Sequence, residues 1–170
     1  QATCDELLKE GEFSMLDAYQ KHVEERKLQG IVPLPLNKQQ TTMLVELLKK
    51  STQQAGQQLL DLLIHRVPPG VDPAAQVKAA FLANITTGKE TSPVINPAKA
   101  VELLGTMLGG YNVEPLIDCL DNDALAPLAA DALSNTLLMF EKYQAVLDKA
   151  KTNPMAQKVV DAWTQATWFT

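Results

Sequence analysis

Apolar residues recur at three- and four-residue spacing through most of this chain, and the clearest stretch is Asn96–Leu120. There Val101, Leu104 and Leu108, flanked by Leu103 and Met107, form one stripe, while Lys99, Glu102 and Thr106 form a polar one, as an amphipathic helix requires. Asn96 suits the cap of that helix and Pro97 its first position, because the Asn side chain accepts a bond from a free N–H and proline has none to lose. Gly109-Gly110 supplies the positive φ that ends a helix at little cost. Asn112 can cap again, and Val113, Leu116, Ile117 and Leu120 restart the period, with Pro115 in the first turn where its missing donor matters least. The spacing predicts an αα-hairpin. One hairpin cannot cover its own apolar faces, so neighbours must be stacked on it.

Similar units flank it. Leu16, Tyr19 and Val23 predict a helix from Leu16 to Gln29, with Ser14 as its cap and Gly30 as its stop. Residues 31–36, IVPLPL, must be extended, because each proline disfavours α geometry in the residue before it, and such a segment is expected to lie over a core. Asn37 and Gln40 have capping-box spacing, and Met43, Leu44, Leu47 and Leu48 carry a helix to about Lys50. The polar, Gln-rich run Ser51–Gln58 reads as a mobile loop. Leu59–Val67 is apolar nearly all round, which predicts a helix buried on most of its surface, ended by Pro68-Pro69-Gly70. Asp72-Pro73 repeats the cap-plus-proline start, Val77, Phe81 and Ile85 run to Gly88, and a polar crossover follows to Asn96. Asp121-Asn122-Asp123 is a turn. Leu125, Leu128, Ala129, Ala132, Leu133, Leu137, Phe140 and Leu147 predict one long helix to about Lys151. Asn153-Pro154 starts a last helix marked by Met155, Val159, Ala162, Trp163 and Ala166, and Trp168-Phe169-Thr170 ends the chain with aromatics expected to be exposed. No strand-like alternation is sustained. The predicted class is all-α, with seven or eight helices in stacked antiparallel hairpins, an α-α superhelix more than an up-down bundle.

Residues 1–14 stand apart. Thr3 and Glu6 have capping-box spacing before Leu7-Leu8, which allows a short helix, and Gly11 interrupts it. With Met15 as a natural start, this segment reads as an extension; an added, cassette-derived leader and a native segment are both open. It holds Asp5, Glu6, Glu10 and Glu12 against Lys9, so it contributes −3 of the net −5. Residues 15–170 then form a single, nearly neutral helical domain.

The length of 170 residues suits one domain with a real core. With 15 Lys+Arg against 20 Asp+Glu there is no overall basic footprint for nucleic acid. Cys4 and Cys119 have no metal-like spacing, so neither a disulfide framework nor a zinc site is indicated, and a reduced, cytoplasmic setting fits. No apolar run approaches the ~20 residues that span a bilayer, so no membrane partner is indicated, and the start is too charged for a signal-peptide core.

Candidate chemistry is sparse. His22 and His65 have no Cys, Asp or Glu at ligand spacing; His22 reads as a surface residue and His65, beside Arg66, as a helix-end residue that favours the last carbonyls. Asp121 and Asp123 fit a turn better than an acid–base pair. Gly105, Gly109 and Gly110 lack the preceding strand and the Lys-Ser/Thr of a phosphate loop. Ser92 and Ser134 lack a nucleophile-elbow context. Met107, Met139 and Met155 read as core filling, and Cys119, beside Leu120, as a small buried hydrophobe. Two distant cysteines cannot supply an iron–sulphur ligand set. Catalytic, cofactor-binding and metal-binding residues are therefore assigned as none.

Two long segments, LLDLLIHRVPPGVDPAAQVKAAFLANITTGKETSP at Leu59–Pro93 and LLGTMLGGYNVEPLIDCLDNDALAPLAADALSNTLLMF at Leu103–Phe140, closely resemble the N-terminal HEAT-like domain of bacterial aconitate hydratase B. The resemblance runs from Met15, in MLDAYQKHVEER, to the closing WFT, and leaves out residues 1–14. It implies a HEAT-like α-α superhelix placed before the catalytic domains of a tricarboxylic-acid-cycle lyase. That family interconverts citrate and isocitrate through cis-aconitate, and can hydrate 2-methyl-cis-aconitate, with a [4Fe–4S] cluster held by the later domains. No catalytic residue carries over to this chain. The implied role is a non-catalytic interaction and assembly domain, whose partners are the aconitase catalytic domains or a second copy of itself in an iron-linked homodimer, and which helps form a passage towards the active site. The family is also described as binding messenger RNA when the cluster is lost. An RNA-binding domain is the weaker alternative here, since Lys38, Lys49, Lys50, Lys149 and Lys151 are scattered in sequence. A regulatory domain and a stand-alone scaffold are the others.

Overall fold

The computed structural model describes residues 17–136 and 140–165. The expected leader helix at 1–14, the Ser14 cap, Cys4, Met15, Leu16, Leu137, Met139, Ala166 and the Trp168–Thr170 end lie outside the described residues. Among the described residues there are nine helices and no strand, an all-α fold. They are α1 (17–28), α2 (Lys38–Lys50), α3 (Gln53–His65), α4 (Pro73–Thr86), α5 (Pro97–Gly105), α6 (Val113–Cys119), α7 (Ala126–Ser134), α8 (Phe140–Ala150) and α9 (Pro154–Gln165).

Most boundaries follow from the caps that the sequence offers. After α1 the Gly30 N–H bonds the Lys27 carbonyl and the Ile31 N–H bonds the Arg26 carbonyl, with Gly30 at φ +69°; this is the Schellman arrangement, which a residue with a Cβ adopts only under strain. The capping box at α2 is complete, with Gln40 N donating to Asn37 Oδ1 at 2.8 Å and Asn37 N to Gln40 Oε1 at 3.0 Å. Asp72, Asn96 and Asn153 each accept from a first-turn N–H of α4, α5 and α9, followed by Pro73, Pro97 and Pro154.

Four expectations need correction. The Gln-rich run is the start of α3 and not a loop: Thr52 caps it, and Gly56 lies so close to Val94 that a Cβ would come within 2.7 Å of its Cγ1. Exposed glutamines are good helix formers, and the glycine allows the close approach. Helix α4 is more enclosed than α3. Ala74, Ala75, Ala79, Phe81, Leu82 and Ile85 are all buried, whereas Asp61 and His65 of α3 are exposed. The helix count rises from seven or eight to nine because the predicted helix from Leu125 to Lys151 is two helices, α7 ending at Ser134 and α8 beginning at Phe140. Ser134 and Thr136 hydroxyls there donate back to the Ala130 and Ala132 carbonyls at 2.7 Å each, a competition with the backbone ladder that favours a helix end.

The fourth concerns the predicted hairpin. Helix α5 stops at Gly105, before the Gly-Gly pair, and Leu108 is 68% exposed instead of continuing the apolar stripe. Asn112 makes no cap bond to α6. Its buried side chain points backward and donates Nδ2 to the Leu104 carbonyl at 2.7 Å and the Met107 carbonyl at 3.2 Å. It satisfies the end of α5, where free carbonyls are left over.

Helices α2, α4, α5, α7 and α9 pack on one another in that order, with α3 against α2, α6 against α5 and α7, and α8 against α9. This is the neighbour-by-neighbour packing of stacked helical hairpins. One continuous core follows the row from Tyr19 to Trp163. Trp163 is buried, donates Nε1 to the Leu133 carbonyl at 2.9 Å and lies 5.5 Å from the Tyr143 ring, which locks α9 to α7 and α8.

Candidate interaction surface

The extended segment 31–36 is fixed by its backbone. The Tyr19 hydroxyl donates to the Leu34 carbonyl at 3.2 Å, Arg26 Nε to the Val32 carbonyl at 3.1 Å, and Leu34 N to His22 Nε2 at 3.0 Å. Leu36 N donates to the Arg66 carbonyl at 2.8 Å, and Leu36 is the buried anchor. Burial raises the Tyr19 pKa, opposed by the Arg66 charge, so the phenol stays protonated and able to donate. His22 is thus half-buried and holds the strap, not a free surface residue.

With the backbone held, the side chains turn outward. Leu28 is 89% exposed, Val32 76%, Leu34 55% and Ile31 43%. Only part of the strap lies over the core as expected; the rest is an apolar strip in water, fixed in shape by polar contacts beneath it. Sequence pattern alone could not assign this, since apolar residues at 31, 32, 34 and 36 fit either face and the anchors Tyr19, His22 and Arg26 sit on another element. Exposed apolar side chains also occur singly at Met43, Val71, Leu108 and Leu128, whereas here four fall within residues 28–34 on a hydrogen-bonded backbone.

A groove of about 670 Å³ runs between α4 and α6, floored by Ala79, Ala80 and Ala83 and rimmed by Tyr111, Glu114 and Asp118. Cys119 lies at its edge and is buried; burial raises its pKa, against a lowering bond from Thr86 and a further rise from Asp118. It is held as the thiol, which is neither a nucleophile nor a ready metal ligand.

The remaining sequence candidates are dispersed. Asp121 pairs with Lys149, and the Asn122 side chain accepts from Ala124 N at 3.0 Å, so the DND stretch builds the turn. His65 is exposed at the last residue of α3, whose end is closed by Arg66 N bonding the Leu62 carbonyl. Gly105 touches α7, where a Cβ would come within 2.9 Å of Ala132 Cβ, and Gly109, at φ +99°, rests on the backbone of Gly70. The Ser92 hydroxyl donates to the Leu48 carbonyl at 2.7 Å and ties the crossover to α2. Met107 and Met155 pack against the core. Lys49 pairs with Glu46 and Glu90 at 2.7 Å each, and Lys151 with Asp148 at 3.0 Å, so these charges are already engaged. Among the described residues no three His, Cys, Asp or Glu side chains converge as metal ligands, and no helix is long and apolar enough to cross a membrane.

Comparison with known proteins gives one consistent result. The family profile of the aconitate B N-terminal domain matches residues 18–169. Aconitate hydratase B of Salmonella typhimurium is 58% identical over 156 residues, which is 91% of this chain and 18% of that protein. The proteins of the same name from Escherichia coli and Helicobacter pylori are 56% and 47% identical over the same coverage. The chain therefore spans about a fifth of the length of the curated relatives it matches.

Proposed function

This chain belongs to the aconitate B N-terminal domain family, and from that premise we propose that residues 15–170 act as a non-catalytic interaction and assembly domain of an aconitate hydratase, in a cytoplasmic setting. The observation that carries the reading is the strip Leu28, Ile31, Val32 and Leu34, exposed while its backbone is held by Tyr19, His22 and Arg26. A surface that is apolar and already ordered loses little conformational freedom when a partner covers it. The partners in this reading are the catalytic domains of the enzyme or a second copy of the chain.

The hydro-lyase chemistry on citrate and isocitrate, and the [4Fe–4S] cluster that supplies its Lewis acid, belong in this proposal to other parts of the full-length enzyme. The donor set here does not fit such a cluster. The sequence has two cysteines, and Cys119 is an enclosed thiol beside Thr86. An RNA-binding reading finds less support, since Lys49, Lys149 and Lys151 are already paired with acids.

The test is light scattering coupled to size exclusion, on the chain alone and mixed with aconitase catalytic domains, with and without ferrous iron. Self-association or complex formation is expected, weakened at least tenfold by Val32→Glu/Leu34→Glu. Strictly monomeric behaviour in every mixture, or aconitase turnover by the chain alone, would refute the proposal.

A further inference from the structure

A backbone N–H can only donate, so the bond from Leu34 N to His22 Nε2 at 3.0 Å fixes the state of the imidazole. Nε2 offers its lone pair and the ring proton sits on Nδ1, so the side chain is neutral while the bond is made. Protonation puts a hydrogen on Nε2 and leaves two donors facing each other. The Leu34 bond and the imidazolium exclude one another.

Leu34 is held through both of its peptide groups. Its carbonyl accepts from the Tyr19 hydroxyl at 3.2 Å while its N–H is taken by His22, and the Tyr19 and His22 rings lie 6.0 Å apart on successive turns of α1. Arg26, one turn further, donates Nε to the Val32 carbonyl at 3.1 Å. Of these three side chains only the histidine is of a type that changes charge between pH 5 and 8. A guanidinium stays protonated, and burial raises the Tyr19 pKa above its ordinary value of 10.0. Residues 31–36 bring no titratable side chain. The elements that meet at this corner carry Lys21, Glu25 and Arg26 on α1, Asp61 in α3 and Arg66 at its end, and Lys38 at the start of α2. No acid bonds His22 among the described residues, so an imidazolium gains no ion pair in exchange for the bond it loses. It also stands four residues from Arg26, a spacing at which like charges on a helix repel.

We propose that His22 is a proton-sensitive latch on the strap, closed while the imidazole is neutral and opened when it is protonated. Leu36 stays anchored, being buried and bonded to the Arg66 carbonyl, so the opening is confined to the residues before it. The consequence for contact rests on the assembly reading: a strip that has lost its order must be ordered again by its partner, which weakens binding. Contact is then tighter at pH 8 than at pH 5.5.

The test follows the whole ¹⁵N-labelled chain by NMR at pH 8 and pH 5.5. Imidazole ¹⁵N shifts report the His22 tautomer, and hydrogen exchange of the Leu34 amide, referred to the unstructured rate at each pH, reports its protection. The expected result is the Nδ1–H tautomer at pH 8 and a Leu34 protection factor at least fivefold lower at pH 5.5, the equivalent of one hydrogen bond of about 1 kcal/mol, with the buried Leu104 amide unchanged. His22→Gln should abolish the fall, and His65→Gln should keep it. An Nε2–H tautomer at pH 8, a Leu34 protection that ignores pH, or a fall that persists in His22→Gln overturns the proposal. If His22→Gln does not fold, the wild-type tautomer and protection still decide. Light scattering at the two pH values separates the latch from the assembly role. Association at least threefold weaker at pH 5.5 in the wild type, and unchanged in His22→Gln, supports both. No association at either pH counts against the assembly role, with the latch decided by Leu34; association with a Leu34 signal that ignores pH overturns the latch alone.

Discussion

Replacing Asn112 separates two accounts of the α5–α6 joint. If Asn112 capped α6, Asp would serve as well, since Asn and Asp rank together at helix N-caps. In the structure the side chain is buried and acts as a donor, with Nδ2 bridging the Leu104 and Met107 carbonyls. Asn112→Ala removes both bonds and leaves Leu104 O with its bond from Met107 N, while Met107 O loses its side-chain donor. At roughly 1 kcal/mol per bond plus the unpaired carbonyl, the loss is about 2–3 kcal/mol. For a chain of this size that lowers Tm by roughly 4–12 °C. Asn112→Asp is expected to be worse at neutral pH, by about 3 kcal/mol or more, because an ionised carboxylate then faces two carbonyl oxygens in a buried site.

The sign of the pH effect follows. The introduced carboxyl is harder to ionise in the folded chain than in the unfolded one, so its folded pKa is raised. Its penalty is absent below the unfolded value of about 4 and grows as pH rises through and beyond it. Urea melts followed by circular dichroism should show Asn112→Asp well below wild type at pH 7 and recovering towards Asn112→Ala near pH 4. An Asp variant as stable as wild type at pH 7, with Ala clearly less stable, would restore the N-cap account and refute this one.

Other expectations are direct. Gly109→Ala should destabilise by about 2 kcal/mol or more, since it adds a clash with the Gly70 backbone to the strain of a positive φ. Gly110→Ala, at φ +95° with open space around it, should show only the conformational part, about 1 kcal/mol; equal losses in thermal melts would deny the loop contact. Ser51 Oγ is buried without a partner, so Ser51→Ala should be neutral or stabilising by up to about 1 kcal/mol, and a lower urea midpoint would contradict that. Burial lowers the Lys49 pKa, but its bonds to Glu46 and Glu90 outweigh this and hold it above 10.5. The contribution is therefore present below pH 10.5 and lost as pH rises through the raised value. Lys49→Met should cost about 0.5–1 kcal/mol near pH 8, and its urea midpoint should converge on wild type only once pH has risen past the ordinary lysine value.

How much was legible depended on whether the signal was local. Asn37 with Gln40, Asp72-Pro73, Asn96-Pro97 and Asn153-Pro154 announce helix starts within four residues, and each start is found there. The same logic failed at Asn112, where the local spacing suits a cap but the side chain is used by the preceding helix. Ala-rich α4 carries little amphipathic contrast, so its enclosure by α2 and α5 could not be read from periodicity. The break between α7 and α8 falls in a stretch whose apolar spacing runs on unbroken. The exposed strap has no sequence motif, because it is built from residues on separate elements.

In the row α2, α4, α5, α7, α9 each helix packs on the next, with α6 bridging α4, α5 and α7 along its middle and neither α2 nor α9 touching the other's neighbours in the row. A disturbance in α2 reaches α9 only by passing along the intervening helices, so paired substitutions at the two ends should have additive free energies, while pairs on touching helices should not. Such a molecule is revised in patches. The strap beside α2 can change its side chains without renegotiating the packing around Trp163, which leaves one scaffold free to acquire a contact face at one end while the other stays as it was.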